Sequence, residues 1–303
     1  MESCRNVFWD AVVAEVERRS GLSVRVPSEQ PKLSYLTAFA LNQLPALYVT
    51  TDVEWEAQRE HVELMFGKEI TDAVRFALRS VVVDANRPAV VPAVELDIPA
   101  RALLRLQLRL QHSGLTWRDV PVAVSTLLEV ELSRFQGQDK PLVLEMGGDT
   151  PEWHTYMLPA RLNCFHALRL LVTRLALQKI QALPSEIGRY IRLEDVVART
   201  LNRLPSLYAT DETSLEQLRR QAKFEIGSQL GFAVDAALKD TRKAFFQQQP
   251  PLLFHRLKEE RKEAMQHLKQ LLQNPQINWR NFNDAIEAAV FHAKQGRITW
   301  QRL

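Results

Sequence analysis

Apolar residues recur along most of the chain at three- and four-residue spacing, the period of helices that bury one face. Residues 6–19 carry Val7, Phe8, Ala11, Val12, Ala14 and Val16 in this way, and residues 33–44 align Leu33, Leu36, Ala40, Leu41 and Leu44 in one stripe. Pro45 disfavours helical geometry at Leu44, so the second helix must end there. The stretch Leu47-Tyr48-Val49-Thr50 reads as extended or turn-like. Thr51 then stands as an N-cap, with Glu54 three residues on at capping-box spacing. One long helix is expected to follow, burying Trp55, Val62, Phe66, Ile70, Ala73, Val74, Ala77, Leu78 and Val81. Gly67 falls inside it, where glycine is costly, which predicts close packing or a kink. Pro88, Pro92 and Pro99 mark residues 86–99 as an extended connector, and residues 99–112 and 117–134 predict a helical hairpin.

The same pattern occurs twice. Residues 33–82 lie over residues 193–242 without a gap, and sixteen of those 50 positions are identical, against about three expected from ordinary residue usage. The densest stretch is Leu41-Asn42-Gln43-Leu44-Pro45-Ala46-Leu47-Tyr48, repeated as Leu201-Asn202-Arg203-Leu204-Pro205-Ser206-Leu207-Tyr208. Asp211, at the position of Thr51, is again a good N-cap residue. Upstream, Asn6-Val7-Phe8 resembles Asn163-Cys164-Phe165 at a shift of 157, and Pro27-Ser28-Glu29 recurs as Pro184-Ser185-Glu186. Downstream, Thr116-Trp117-Arg118-Asp119 resembles Asn278-Trp279-Arg280-Asn281 at a shift of 162. Residues 247–251 form the second connector, and 252–273 with 279–295 the second hairpin. The duplicated unit is therefore half the chain, longer than a solenoid repeat. Gly147, Gly148, Pro151 and Pro159 place a linker between the halves. The expected domains are 1–150 (core 1–85, hairpin 99–134) and 151–303 (core 160–245, hairpin 252–295).

Composition fits a globular chain: 46% hydrophobic and 25% charged residues over 303 positions. The net charge of +3 hides a divergence between the halves. Residues 1–150 hold 16 Lys and Arg against 21 Asp and Glu, whereas residues 151–303 hold 23 against 15. Paralogous halves drift in surface charge, and a basic half also attracts polyanions. The longest apolar runs, such as 168–172, are too short to span a bilayer, and residues 1–6 show no apolar leader core. A cytoplasmic protein without membrane insertion is the expectation. Cys4 and Cys164 cannot build a disulfide framework or a cysteine-rich zinc site.

The segment Ala40-Leu41-Asn42-Gln43-Leu44-Pro45-Ala46-Leu47-Tyr48-Val49-Thr50-Thr51 resembles the signature of the late competence development ComFB family, Ala-Leu-Asn-x-Leu-Pro-Pro-x-Tyr-Val-x-Thr. The resemblance covers residues 1–85 and about 160–245; the two hairpins lie outside it. Many members carry a cysteine cluster suited to zinc before this helix, but residues 21–34 and 181–194 contain no Cys. No metal or cofactor is therefore implied. Ala46 and Ser206 also stand where the family often has a second proline. The resemblance implies an all-α fold of two tandem ComFB-like domains, packed as an intramolecular pseudo-dimer. It also implies a regulatory rather than catalytic role, since cyanobacterial members act as receptors for cyclic dinucleotides. A two-fold symmetric ligand would fit between two copies of one surface.

Cyclic dinucleotide binding needs cations for phosphates, planar groups for bases and amides or arginines for base edges. The repeated candidates are Asn42 and Asn202, Tyr48 and Tyr208, and Arg59 and Arg219, with Arg203 and Arg220 as extras. Each also has a structural assignment. The asparagines end a helix and can satisfy local backbone groups, the tyrosines suit a core with a bonded hydroxyl, and Arg59 and Arg219 follow Glu56 and Glu216 at helix-pair spacing. No catalytic constellation emerges: Gly147-Gly148 is too short for a phosphate loop, and Glu194 and Asp195 diverge as neighbours on a helix. A second functional class is a ligand-free adaptor that meets an unknown protein partner through Trp117, Trp153, Trp279 or Trp300; the same indoles equally suit a core. Nucleic-acid binding is the third. It is disfavoured because residues 254–272 mix Arg256, Lys258, Arg261, Lys262 and Lys269 with Glu259, Glu260 and Glu263, the pattern of a salt-bridged solvated helix.

Overall fold

The computed structural model describes residues 3–26, 28–80, 97–144, 150–244 and 250–301. In the first copy, β1 (Arg5–Asn6) leads into α1 (Phe8–Ser20). There Gly21, at φ 70°, ends the helix by donating its N–H to the Glu17 carbonyl, a left-handed cap that glycine adopts at least cost. Then come α2 (Gln30–Leu41), β2 (Tyr48–Val49), α3 (Asp52–Met65) and α4 (Gly67–Ser80), followed by α5 (Ile98–Leu110), α6 (Val120–Phe135) and α7 (Pro151–Arg161). The second copy repeats the order: β3 (Phe165–His166), α8 (Arg169–Gln181), a short α9 (Ser185–Gly188), α10 (Leu193–Leu201), β4 (Tyr208–Ala209), α11 (Glu212–Glu225) and α12 (Gly227–Lys243). Helices α13 (His255–Leu271) and α14 (Phe282–Ala293) follow. Among the described residues the fold is all-α apart from two two-residue antiparallel ribbons, β1 with β2 and β3 with β4, and an isolated bridge between Thr51 and Leu252.

By packing, the chain forms two compact units. One comprises Met1–Leu96 and Leu158–Phe254, and so joins the two repeat cores; the other comprises Asp97–Met157 and His255–Leu303, and so joins the two hairpins. The boundary near residue 150 marks the duplication, while compactness follows this other division.

In the first unit, α1, α2 and α4 pack together, as do α8, α10 and α12. Each trio closes over aliphatic side chains such as Val12, Leu36 and Val74, or Val172, Val197 and Val234. Contacts between the copies are reciprocal: α10 meets β2, and α2 meets β4. This is the pseudo-dimer that the duplicated sequence implies.

In the second unit, α6 packs against α13 and α14, and α14 also meets α5. Trp117 and Trp153, almost wholly buried, meet edge to face at 5.9 Å, and Trp279 lies 4.8 Å from Trp117. Trp300 is buried too. These indoles are core residues, so the anchors proposed for an adaptor are turned inward or packed on one another. The shift of 162 is upheld by matched caps: the Thr116 N–H and hydroxyl donate to Asp119, and the Asn278 N–H donates to Asn281. The charges of α13 are paired: Arg256 with Glu152 and Glu260, Arg118 with Glu260, and Lys262 with Glu259.

Four expectations need correction. The expected long helix is two helices, because Phe66 (φ −115°, ψ 9°) leaves helical geometry and α4 restarts at Gly67; Ile226 does the same in the second copy. The expected linker is partly helix. Pro151 opens α7, where a missing N–H costs nothing, and Pro159 is carried inside it. Gly147 and Gly148, like residues 86–96 and 247–249 of the connectors, lie outside the described residues. The capping box occurs in the second copy, between Asp211 and Ser214. Thr51 caps α3 as expected, but Glu54 accepts from the Thr50 N–H instead of that of Thr51. Lastly, the upstream shift is 160, because Asn6 faces Tyr48 and His166 faces Tyr208 in the matching ribbons. His166, and not Asn163, is the counterpart of Asn6.

Candidate functional site

The motif places its asparagines at the end of α2 and α10, each aimed at the other copy. The Asn42 side chain donates to the Tyr208 carbonyl (3.1 Å) and accepts from the Tyr208 N–H (2.6 Å). Asn202 makes the same two bonds to Tyr48, at 2.9 and 2.5 Å. Pro45 and Pro205 turn the chain so that the strand after each asparagine can receive its partner. Between them the Tyr48 and Tyr208 hydroxyls meet at 2.7 Å, so the pseudo-two-fold axis passes through a buried tyrosine pair. Burial pushes both phenols up, Tyr208 to about 12, which keeps them protonated. The polar groups of these four residues thus join the copies.

The four arginines lie elsewhere. Arg59 is exposed and faces Glu63 at 3.8 Å, and Arg220 faces Glu216 at 3.1 Å. Arg203 bonds Asp240 and the Arg199 carbonyl. Arg219 donates to the Ala167 carbonyl at 3.1 Å.

Beside this axis the structure opens a cavity of about 570 Å³, within the roughly 300–1,000 Å³ of small-molecule sites. One wall is the strand-to-helix turn of the first copy, Tyr48 to Glu54; the other is Tyr190 and the face of α10 that carries Arg192, Asp195, Arg199 and Asn202. Pro250 and Pro251 border it, held there because the Leu253 N–H donates to the Thr50 carbonyl and the Arg192 guanidinium to the Pro250 carbonyl. Asp195 is neutralised by Arg192 in a bidentate pair at 2.9 and 3.0 Å, and it also accepts from the Thr50 hydroxyl at 2.6 Å. Arg199 differs: it is half-buried in the wall, and its guanidinium has no ion-pair or hydrogen-bond partner among the described residues. The cavity therefore offers the donor fork of Arg199 and the Tyr190 ring, over which the Arg189 guanidinium lies at 4.6 Å, while the buried Thr50 and Thr51 hydroxyls are taken up by Asp195 and the Glu54 N–H.

Of the eight candidates from the sequence, the cavity gathers Tyr48 and Asn202. Arg192, Arg199 and Tyr190 were missed. Their counterparts are Lys32, Phe39 and Gln30, so a search for residues shared by both copies passes over them. The signal lay in the differences between the copies.

The first copy anchors its ribbon with Asn6, whose carbonyl oxygen accepts the Phe8 and Leu47 N–H groups at 3.2 and 3.4 Å. His166 performs this task in the second. Its Nδ1 accepts the Leu168 N–H at 3.3 Å, while Nε2 faces both the Leu207 N–H at 3.3 Å and the Pro205 carbonyl at 3.2 Å. Burial pushes this imidazole down from 6.5 to about 4. Because the fold disfavours the charged form, its contribution is intact above pH 6.5 and is lost as pH falls from 6.5 towards 4. Thermal melts across that window should show a falling midpoint, and His166→Asn, which installs the group used in the first copy, should flatten the slope. An unchanged slope would rule out His166 as its source.

The architecture defines a class: a pseudo-dimer of one helical domain with a cleft beside the joint. A family model for late competence development protein ComFB matches residues 5–85 and 171–244, just over half of the chain. The chain belongs to the ComFB family, with the family domain present twice. No curated protein and no solved structure matches it. No helix among the described residues is long and apolar enough to cross a membrane.

Proposed function

We propose that the protein is a non-catalytic regulatory receptor that binds a cyclic dinucleotide, cyclic di-GMP or cyclic di-AMP, at the interface of its two repeats and signals to a protein partner. The carrying observation is the 570 Å³ cleft between the copies with the unpaired Arg199 in its wall. A buried-edge guanidinium without a partner is a ready phosphate ligand, since charge-assisted bidentate bonds to phosphate are among the stronger polar contacts. Tyr190 supplies an aromatic ring at the cleft wall, beside the Arg189 guanidinium that lies over it. The ligand lies beside the pseudo-two-fold axis, because the tyrosine pair fills the axis itself.

Calorimetric titration of the full chain with each dinucleotide tests this reading. Heat with a saturable isotherm for either one is expected; no heat with both would reject it. The adaptor reading draws on a different observation. Leu64 and Phe224 occupy equivalent positions in the two copies and are 84% and 88% exposed, beside Met65 at 64%. Paired apolar side chains of this kind suit contact with another protein.

A further inference from the structure

Duplication relates this cleft to an equivalent position across the pseudo-two-fold axis, between the β4–α11 turn and α2, but the residues that face each position have diverged. We infer that only one is a ligand site: the cleft between the β2–α3 turn and α10 takes a single anionic ligand per chain through Arg199, and its counterpart between the β4–α11 turn and α2 takes none. The inference rests on the proposed receptor function and adds stoichiometry and polarity to it.

At the position of Arg199, the other copy has Phe39, whose ring packs against Phe76 with centroids 5.6 Å apart. No guanidinium can reach a phosphate from there. At the position of Thr51 stands Asp211, buried, capping α11 and accepting the Tyr35 hydroxyl at 3.0 Å. That hydrogen bond runs between the β4–α11 turn and α2 and puts a carboxylate where the first cleft has a neutral hydroxyl. An anion there would meet that carboxylate without a counterpart of Arg199, although Lys32 stands at the position of Arg192. In the first cleft Asp195 is paired with Arg192, while Glu54 accepts the Thr50 N–H at 3.2 Å much as Asp211 accepts the Ser214 N–H in the other copy. A ligand bound there is gripped by unlike surfaces on its two sides, so it need not be symmetric itself.

The test is the stoichiometry of cyclic di-GMP and cyclic di-AMP binding to the full chain, with two variants. One equivalent per chain is expected. Arg199→Phe, which copies the other wall, should weaken binding by roughly ten-fold or more, the value of a charge-assisted contact. Phe39→Leu should leave affinity unchanged. Far-UV circular dichroism melts of each variant separate lost binding from lost folding, and Arg199→Lys should bind between wild type and Arg199→Phe if charge is what matters. Two equivalents per chain, or wild-type affinity in folded Arg199→Phe, would overturn the inference while leaving the receptor reading in place. Absence of heat with both dinucleotides would overturn the receptor reading, and this inference with it.

Discussion

Replacing Asn42 by Ala is expected to destabilise the protein by about 2–3 kcal/mol, and Asn202→Ala by about half as much. Each asparagine bonds both backbone groups of a tyrosine in the opposite copy. Removing the side chain strands a buried N–H and a carbonyl, and the cost of leaving them unpaired exceeds the modest worth of the bonds themselves. The difference between the two sites follows from their surroundings. Asn42 is half-buried, whereas Asn202 is exposed at the edge of the cleft, where water can replace it. The double variant should lose about 3–4 kcal/mol, a large share of the 5–15 kcal/mol typical of a domain. Urea unfolding monitored by circular dichroism gives the ranking. Equal, near-zero losses would mean that the reciprocal bonds do not join the copies.

Trp117→Ala should cost the hairpin unit about 3–5 kcal/mol, the range for deleting a buried aromatic side chain. Trp117 is fully buried and sits at the centre of a cluster with Trp153 and Trp279. Its indole N–H meets no acceptor among the described residues. Trp117→Phe therefore keeps an aromatic ring and sacrifices no hydrogen bond, and should cost roughly 1–2 kcal/mol. Near-ultraviolet circular dichroism, which reports tryptophans held in fixed contact, should collapse in the alanine variant at temperatures where the wild type retains its signal. A melting midpoint unchanged by Trp117→Ala would refute a structural role for the cluster.

Much of this was legible in the chain. Helical periodicity, the N-caps at Thr51 and Asp211, and the turn after Asn-x-Leu-Pro are local, and local physics writes them into neighbouring residues. The near-repetition of Leu41–Tyr48 as Leu201–Tyr208 revealed the duplication, and the family resemblance implied the pseudo-dimer. What escaped was either long-range or disguised by divergence. The hairpins pair with each other because Trp117 and Trp279 meet across 162 positions of sequence, a contact that no periodicity encodes. His166 replaces Asn6 as the ribbon anchor by offering an acceptor of another chemical type, so identity pointed instead to Asn163. The break at Phe66 reflects two residues' backbone angles within an otherwise unbroken apolar stripe. For the site, the repeated asparagines and tyrosines hold the copies together, while the repeated arginines lie away from the joint. Arg199, whose guanidinium is unpaired among the described residues, stands where the sister copy has Phe39. Sequence shared by duplicated halves marks what the joint needs, and sequence that differs marks where a function can be confined to one side.

Hydrogen–deuterium exchange with and without saturating cyclic dinucleotide is the most direct measurement of the central claim, that a ligand sits in one cleft beside the joint of the two copies. Protection should appear in peptides covering residues 48–54 and 190–199, with residues 30–39 and 208–214 unchanged. Equal protection of both sets, or protection of neither, would contradict it.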